Sequence, residues 1–237
     1  MIRRSVGVFM LEIIKFRLEK VKHRWQAAFV HSYRQYCGLA KALDVVGSRW
    51  TLLINRELLI RDACRYTDLL DGLPGIATNL LADRLRELEA AGVVTSEGGA
   101  TTTYVLTERG RALEPILMQL GMWGAPLLAG APKSDRYHAY WLVLPARLHL
   151  TDNDPTAPPI LIEARTKGEA VSIETADGGV RVSLGSTRDR PADLVLDGPR
   201  DAVLGLLLGK LDWPAARRAG LVHAGDPRIL KRVQPRG

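Results

Sequence analysis

One predicted helix, over residues 78–90, carries hydrogen-bonding side chains on one face and leucines on the other. The apolar face consists of Leu81, Leu85 and Leu88. The opposite face consists of Asn79, Asp83, Arg86 and Ala90. Spacings of three and four residues bring side chains to one side of a helix, so the leucines face a core and the polar set faces outward. Amide and guanidinium groups on such a face can form paired hydrogen bonds with the edges of nucleic-acid bases.

The segments around this helix predict a helix, a tight turn, a second helix and a two-stranded ribbon. Turn residues at 72–75 end a helix that begins near Tyr66, Thr78 is interpreted as the next N-cap, and Gly92 stands where a left-handed residue ends that helix. Two β-prone runs, at 93–96 and 101–105, are separated by a Glu-Gly-Gly-Ala turn. This order is the plan of a winged helix-turn-helix, which presents one helix and one hairpin to duplex DNA.

The DNA-contacting residues predicted from this plan lie before the helix, on it, and in the hairpin turn. They are Arg65, Thr78, Asn79, Arg84, Arg86, Gly98, Gly99, Thr101 and Thr102. We expect Thr78, Asn79 and Arg86 to face the major groove, where amide and guanidinium groups read bases. Arg84 and the hairpin are expected to meet the backbone or the minor groove, and the start of the helix can receive a phosphate.

Upstream, residues 39–46 and 50–59 predict two further helices, with Ser48 as the cap of the second. Five runs now resemble the HxlR-type winged-helix transcriptional regulators over residues 33–128. These runs are Tyr36–Gly38, Val46–Ile54, Tyr66–Leu70, Arg84–Val94 and Tyr104–Gly110. The resemblance implies a homodimeric, sequence-specific DNA-binding regulator of a palindromic operator, with dimer surfaces near 37–46 and 112–120.

The resemblance also singles out Cys37 as a candidate redox sensor. Many relatives in this family sense oxidants or electrophiles through a cysteine just before the first helix of the winged-helix unit, which is the position of Cys37. A helix N-terminus lowers the pKa of a thiol and so raises the fraction of reactive thiolate. The alternative is a buried, inert thiol, which is common for free cysteines.

Length and composition fit two modest domains. The chain has 237 residues, of which 46% are hydrophobic, enough to fill two cores. Its two cysteines, Cys37 and Cys64, cannot form a disulfide framework and indicate a reducing cytosol. No apolar run approaches the ~20 residues that a membrane span needs. We therefore expect a cytoplasmic protein with no membrane partner.

The net charge of +7 is unevenly distributed: residues 1–36 carry +6, residues 37–130 carry −2 and the remainder carries +3. Total charge is thus a weak indication of nucleic-acid binding here, and the local placement of arginines matters more. Apolar residues from Leu11 to Trp25 follow the seam spacing of an amphipathic helix. This basic extension, 1–32, is interpreted as a peripheral helix; a dimerisation helix, a phosphate-contacting arm, a mobile tail and translated upstream sequence are the alternatives.

Patterns of catalysis and of metal binding are missing from the sequence. It contains no phosphate-binding glycine loop, no His-Glu-x-x-His, no Cys-x-x-Cys and no Gly-x-Ser-x-Gly elbow, and its five histidines are scattered. We therefore expect no catalytic residue, no metal and no cofactor. An enzyme acting through the second half of the chain is the rival class.

The second half predicts a small α+β module. A helix seeded at 111–120 should end near 123–126, and a linker follows at 132–135. The remaining elements are a helix over 137–150 that Pro145 limits, strands at 160–164, 170–175, 180–184 and 194–196, with a hairpin turn at 177–179, and helices at 202–208, 213–219 and 226–233. Its closing turns and caps resemble the sterol carrier protein type 2 family, in the runs 192–202, 207–212, 219–221 and 225–227.

That second resemblance implies an apolar tunnel for a lipid-like small molecule. The expected pocket walls are Trp141, Leu142, Leu206, Leu207 and Leu211. A solid core without a cavity is the alternative. The fold class is therefore α+β, with an extension at 1–32, a winged helix-turn-helix domain at 33–130 and a sterol-carrier-like domain at 135–237. The rival function is a lipid-binding carrier or interaction protein whose winged helix does not read DNA.

Overall fold

The computed structural model describes residues 32–99, 101–132, 134–187 and 190–235. These residues form two compact units, the first ending at Glu114 and the second beginning at Pro115. Each unit combines helices with a sheet, as the α+β class requires. The predicted helix between Leu11 and Trp25 lies outside the described residues. Within the described part of the chain, no helix is long and apolar enough to cross a membrane.

The first unit contains helices and a three-stranded antiparallel sheet in the order β1-β3-β2. Its elements are α1 (Gly38–Val46), α2 (Thr51–Arg61), β1 (Ala63–Arg65), α3 (Tyr66–Gly72), α4 (Thr78–Ala90), β2 (Val94–Glu97), β3 (Thr103–Leu106) and α5 (Glu108–Arg111). The predicted helices and the hairpin are therefore confirmed. Strand β1 was not predicted; it pairs with β3 and turns the two-stranded wing into a three-stranded sheet.

The apolar face of α4 lies in the core, as the leucine spacing predicts. Leu81, Leu85 and Leu88 are each at most 2% exposed. Full burial of a leucine side chain stabilises a fold by about 1.5–3 kcal/mol, so these three residues fix which face of α4 points inward. The opposite face is consequently turned to solvent.

The C-terminal end of α4 is closed by the glycine that the sequence singles out. Gly92 has a φ of +64°, and its amide donates to the Glu89 carbonyl at 2.9 Å. The Val93 amide donates to the Leu88 carbonyl, also at 2.9 Å. This pair of bonds is a Schellman motif, in which glycine provides the left-handed residue without strain. The prediction for Gly92 is confirmed, and the motif directs the chain from α4 into β2.

Both predicted N-caps are wrong. The N-cap of α4 is Ala77, whose carbonyl accepts from the Leu81 amide at 3.0 Å, so Thr78 is already the first helical residue. Helix α2 begins at Thr51, and the Thr51 amide donates to the backbone carbonyl of Ser48 instead of to the serine hydroxyl. A short turn that satisfies the first amides through the backbone removes the need for a capping side chain.

The second unit contains a five-stranded sheet in the order β6-β5-β4-β7-β8, with helices before and after its strands. Its elements are α6 (Glu114–Gly124), 3₁₀ helices Ala125–Gly130 and Ala139–Leu142, α7 (Val143–His149), β4 (Leu161–Thr166), β5 (Glu169–Ala176), β6 (Gly179–Leu184), β7 (Leu194–Asp197), α8 (Arg200–Leu207), α9 (Trp213–Arg218), β8 (Val222–Gly225) and a 3₁₀ helix Pro227–Arg232. Strands β4 and β7 are parallel; the other neighbours are antiparallel.

Prolines explain where the helices of the second half depart from prediction. The expected helix through 111–120 is two helices, because Pro115 fits only in the first turn of a helix and α6 therefore starts anew at Glu114. The expected helix over 137–150 is likewise a 3₁₀ turn followed by α7, which holds Pro145 in its first turn. The last predicted helix is 3₁₀, with Pro227 at its start, and strand β8 before it was not predicted.

The register of the sheet gathers apolar side chains on one face. Ile162 and Ala164 of β4 pair with Ile173 and Val171 of β5, and all four are fully buried. The predicted hairpin turn after β5 is confirmed, with left-handed Asp177 and Gly178 between β5 and β6. Alternation along paired strands therefore gives this unit its own core.

A buried ion pair fastens the loop after α7 to the C-terminal 3₁₀ helix. Arg232 donates to both carboxylate oxygens of Asp152, from Nε at 2.8 Å and from Nη2 at 3.0 Å. The same guanidinium donates to the carbonyl of Ala157 at 3.1 Å. Because the Asp152 side chain is 2% exposed, the pair acts as a fixed link between segments 80 residues apart.

Candidate nucleic-acid interface

The outward face of α4 presents the side chains that the sequence predicts. Asn79, Arg86 and Ala90 are exposed, and Asp83 is half-buried. The Arg86 side chain is 73% exposed, and its Nη2 donates to Asp83 Oδ1 at 2.5 Å. The face thus offers one amide and one guanidinium, the latter held by a carboxylate one turn earlier.

The start of α4 is tied to the start of α3. The Tyr66 hydroxyl donates to the Thr78 carbonyl at 2.5 Å, while Thr78 itself is exposed. The Arg65 amide donates to the Asp68 carboxylate at 2.7 Å, and Arg65 pairs with Thr103 of the wing. The exposed Arg65 therefore stands where the wing meets the helix-turn-helix.

Arg84 points away from the outward face. Its Nη1 donates to the hydroxyl of Ser48 at 2.8 Å and also contacts the Glu87 carboxylate. The side chain is only 23% exposed. Arg84 therefore links α4 to the turn before α2, and the predicted phosphate contact would require it to leave this position. The sequence pattern gave no sign of the contact with Ser48, which is 36 positions away.

A buried carboxylate that the sequence patterns did not single out lies in a cluster that links two helices. Glu57 of α2 is completely buried and accepts from Arg56 at 2.7 Å, and Arg61 Nε lies 3.5 Å from its second oxygen. Arg56 also donates to the Gly72 carbonyl at 3.1 Å. The cluster thereby joins α2 to the end of α3, just before the turn that leads to α4. The Glu57–Arg61 spacing of four residues was the available signal.

The tip of the wing is exposed at Gly98, Gly99, Thr101 and Thr102. Gly98 has a φ of +108°, and a Cβ at this position would lie 2.4 Å from the Thr101 carbonyl oxygen. Only glycine therefore fits the first turn position. The four exposed residues of the tip can therefore contact a groove or a phosphate chain.

The two cysteines differ sharply in environment. Cys37 is exposed at the N-cap of α1, where the backbone amides of Ala40 and Leu39 lower the pKa of its thiol. The nearby basic Lys41 is paired with Asp44 at 3.3 Å, so the backbone is the cause of the lowered pKa. Cys64 of β1 is buried, and burial raises the pKa of its thiol to about 12.

Helices α1 and α6 each expose a row of apolar side chains. On α1, Leu39 and Leu43 are 69% and 40% exposed and lie one turn apart. On α6, Ile116, Leu120 and Trp123 are exposed at spacings of four and three residues. Apolar rows of this kind on a helix mark surfaces that bind another protein surface.

The predicted pocket residues of the second unit are largely core residues. Leu142, Leu206 and Leu207 are at most 2% exposed, whereas Trp141 and Leu211 are half-buried. An open pocket of about 370 Å³ lies elsewhere in this unit, at the β5–β6 hairpin beside Arg147 and Arg181. Over the residues that the structure describes, no group of three His, Cys, Asp or Glu side chains could hold a metal ion.

Comparisons with known proteins identify helix-turn-helix transcriptional regulators as relatives of this chain. The model of the HxlR-like helix-turn-helix family matches residues 45–130. The uncharacterized HTH-type transcriptional regulator YvaP of Bacillus subtilis is 37% identical over 87 residues, which are 35% of this chain and 80% of that protein. The uncharacterized HTH-type transcriptional regulator sll1512 of Synechocystis is 34% identical over 96 residues, or 39% and 70% of the two chains. The solved structure of the redox regulator HypR in its reduced form is 31% identical, with a TM-score of 0.37, and the match covers 40% of this chain and 100% of that one.

Proposed function

Because the chain belongs to the HxlR-like helix-turn-helix family, we propose that it is a DNA-binding transcriptional regulator that inserts α4 into the major groove. The observation that carries this proposal is the outward face of α4, where Asn79 and Arg86 are exposed opposite a buried leucine stripe. The relatives named above are transcriptional regulators, which favours a regulator over an enzyme. A role on DNA also fits the expected cytoplasmic location.

In this proposal, two side chains of α4 read bases. The Asn79 amide suits the N6 and N7 positions of adenine, and the Arg86 guanidinium suits O6 and N7 of guanine. Each such contact contributes about 1–3 kcal/mol to discrimination against the wrong base. The exposed Gly98, Gly99, Thr101 and Thr102 of the wing, together with Arg65, would contact the phosphate backbone or the minor groove, which fixes register without reading sequence.

Gel-shift titration with a selected operator and with random competitor DNA tests base reading. Asn79→Ala and Arg86→Ala should each weaken operator binding about 5–150-fold while changing binding to random DNA far less. Arg181→Ala is the matched control, because Arg181 is also an exposed arginine, 64% exposed, paired with an aspartate near it in sequence. Equal losses on operator and random DNA would exclude base reading by these residues. Absence of DNA binding by the native chain would favour the rival carrier or interaction protein.

We further propose that the regulator acts as a homodimer on a palindromic operator. The exposed apolar rows of α1 and α6 support this, since each row is a surface that a second copy would cover. Two α4 helices would then enter successive major grooves about 34–36 Å apart. Leu39→Glu and Leu120→Glu should shift sedimentation from dimer to monomer and abolish tight binding to the palindrome. A native chain that sediments as a monomer on its own and on DNA would contradict the dimer.

Thiol oxidation at Cys37 is the proposed control of DNA binding. The exposed thiol and its lowered pKa support it, because the thiolate is the form that oxidants and electrophiles attack. A redox regulator among the similar solved structures, HypR, points the same way. Cys37→Ser should make DNA binding insensitive to peroxide and to quinones, and Cys64→Ser should leave the sensitivity intact. Persisting sensitivity in Cys37→Ser would rule out this site.

For the second unit we propose a sterol-carrier-like domain that binds an apolar small molecule and thereby alters DNA affinity. The resemblance of its closing turns and caps to that family, and the half-buried Trp141 and Leu211, support this role. A tenfold change in operator affinity needs about 1.4 kcal/mol of coupling between ligand and DNA. Thermal-shift measurements with a panel of lipids test the binding, and repeating the gel shift with any stabilising compound tests the coupling.

A further inference from the structure

Among the described residues of the second unit, three buried hydrogen-bonding atoms have neither a hydrogen bond nor an ion pair. They are the Tyr137 hydroxyl, Nε2 of His138 and the Thr166 hydroxyl. Thr166 is 1% exposed and His138 is 9% exposed. Buried polar atoms are nearly always hydrogen-bonded in proteins, since each one left unpaired costs free energy. These three atoms therefore need a physical explanation.

The residues that carry these atoms are linked through Glu169, beside the turn of the β4–β5 hairpin, and are called the cluster. Thr166 is the cross-strand partner of Glu169, so both side chains lie on the same face of the sheet. Glu169 Oε1 lies 3.3 Å from His138 Nδ1. The ring of Trp141 packs edge-on against the rings of His138 and Tyr137, at centroid distances of 5.1 and 6.2 Å. Polar atoms and aromatic surface thus meet in one place.

The hydrogen-bonding capacity of the cluster defines what would complement it. When the neutral His138 ring donates from Nδ1 to Glu169, its Nε2 is left as an acceptor. The Tyr137 and Thr166 hydroxyls can each donate and accept. The complementary group therefore needs at least one donor and one acceptor; an ester or an ether has no donor for Nε2.

The charges around the cluster disfavour an ionised ligand group. Glu169 is already used, because it contacts His138 and accepts from the Ala139 amide. Arg200 lies 5.4 Å from the Tyr137 ring centre and pairs with Asp201 at 3.4 Å. A ligand carboxylate would lie near the Glu169 carboxylate and would have no guanidinium to pair with. An uncharged hydroxyl is the simplest group that fits.

We propose that Tyr137, His138 and Thr166 bind the hydroxyl group of an apolar alcohol, whose hydrocarbon part packs against Trp141. The inference rests on the proposed ligand-binding role of the second unit and names the chemical class of its ligand. The three polar atoms select the hydroxyl, and the aromatic rings supply apolar contact area. The unpaired atoms of the free protein are then the binding groups of the complex.

The experiment measures binding of 1-decanol and of decyl methyl ether to the full chain by tryptophan fluorescence, together with the melting temperature. 1-Decanol should bind at least about tenfold more tightly than the ether, which cannot donate to His138. Thr166→Val and Tyr137→Phe should each weaken 1-decanol binding about tenfold while leaving the melting temperature of the free protein unchanged or higher, because each removes an unpaired polar atom.

Thr175→Val is the matched control, since Thr175 is equally buried but its hydroxyl accepts from the Ile160 amide at 2.9 Å. This variant should melt at a lower temperature and bind 1-decanol as the native chain does. A fall in melting temperature for Thr166→Val with unchanged 1-decanol affinity would identify the cluster as a site for buried water and overturn the proposal. Equal binding of 1-decanol and decyl methyl ether would overturn the assignment of the ligand as an alcohol, but not the ligand-binding role of the second unit. Binding of neither would overturn the ligand-binding role itself, while the gel shift judges DNA binding independently.

Discussion

Replacing Glu57 by Gln tests whether the buried carboxylate fixes the helix-turn-helix. Glu57 is fully buried between Arg56 and Arg61, whose side chains are each 21% exposed. Breaking a buried ion pair by removing one charge costs about 3–5 kcal/mol. Three features reduce that cost: glutamine keeps the shape, Arg56 keeps its bond to the Gly72 carbonyl, and both guanidinium groups retain some contact with water. We therefore expect a loss of about 2–3 kcal/mol in the free energy of unfolding.

Urea unfolding of the full chain, followed by far-ultraviolet circular dichroism, measures this loss. With a urea dependence of about 1–3 kcal/mol per molar, the midpoint of the first unit should fall by about 1 M or more. Asp83→Asn is the matched control: its pair with Arg86 is as short, 2.5 Å, but both side chains are about half exposed or more. Exposed pairs contribute only about 0–1 kcal/mol, so this variant should unfold almost as the native chain does. Similar losses in the two variants would refute the argument from burial.

Three further predictions concern single contacts. The hydrogen bonds from Arg232 lower the pKa of Asp152. The stabilisation that this ion pair provides is therefore complete above the ordinary carboxyl pKa of about 3.9 and is lost as the pH falls below that value. Asp152→Asn should weaken the second unit at pH 7 and flatten its acid unfolding curve. Gly110→Ala should destabilise by about 1–3 kcal/mol in urea, because its Cβ would lie 2.2 Å from the Val93 carbonyl oxygen, whereas Gly121→Ala, with open space around it, should not. Tyr66→Phe removes the bond to the Thr78 carbonyl and should weaken operator binding in a gel shift several-fold with little change in melting temperature; unchanged operator affinity would exclude a positioning role for Tyr66.

Local periodicity predicts those elements whose own sequence has a regular apolar pattern or a characteristic turn residue. The leucine spacing of α4 and the left-handed Gly92 are properties of short segments, so sequence alone locates the helix, its buried face and its end. The alternating strands β4 to β6 and their Asp-Gly turn are readable for the same reason. Exposure of Asn79 and Arg86 follows directly from the buried stripe on the other side.

Features that arise from pairing between distant segments could not be predicted from local periodicity. Strand β1 has three residues and exists because β3 offers it an edge, and β8 depends in the same manner on β7. The side chain of Arg84 is directed by Ser48, and the unpaired cluster of Tyr137 and Thr166 forms only when the β4–β5 hairpin meets the preceding 3₁₀ turn. Such contacts depend on tertiary packing, which no local pattern encodes.

The different environments of the two thiols allow the native chain to be labelled at one cysteine only. Burial raises the pKa of the Cys64 thiol to about 12, so the thiol stays protonated at neutral pH, and its sulfur is also closed off from solvent. Cys37 is open and more acidic than an ordinary thiol. A maleimide dye added to the native protein should therefore attach at a single position, next to the first helix of the winged-helix unit. Two such dyes in an assembled pair of chains would report association by energy transfer, without any engineered residue.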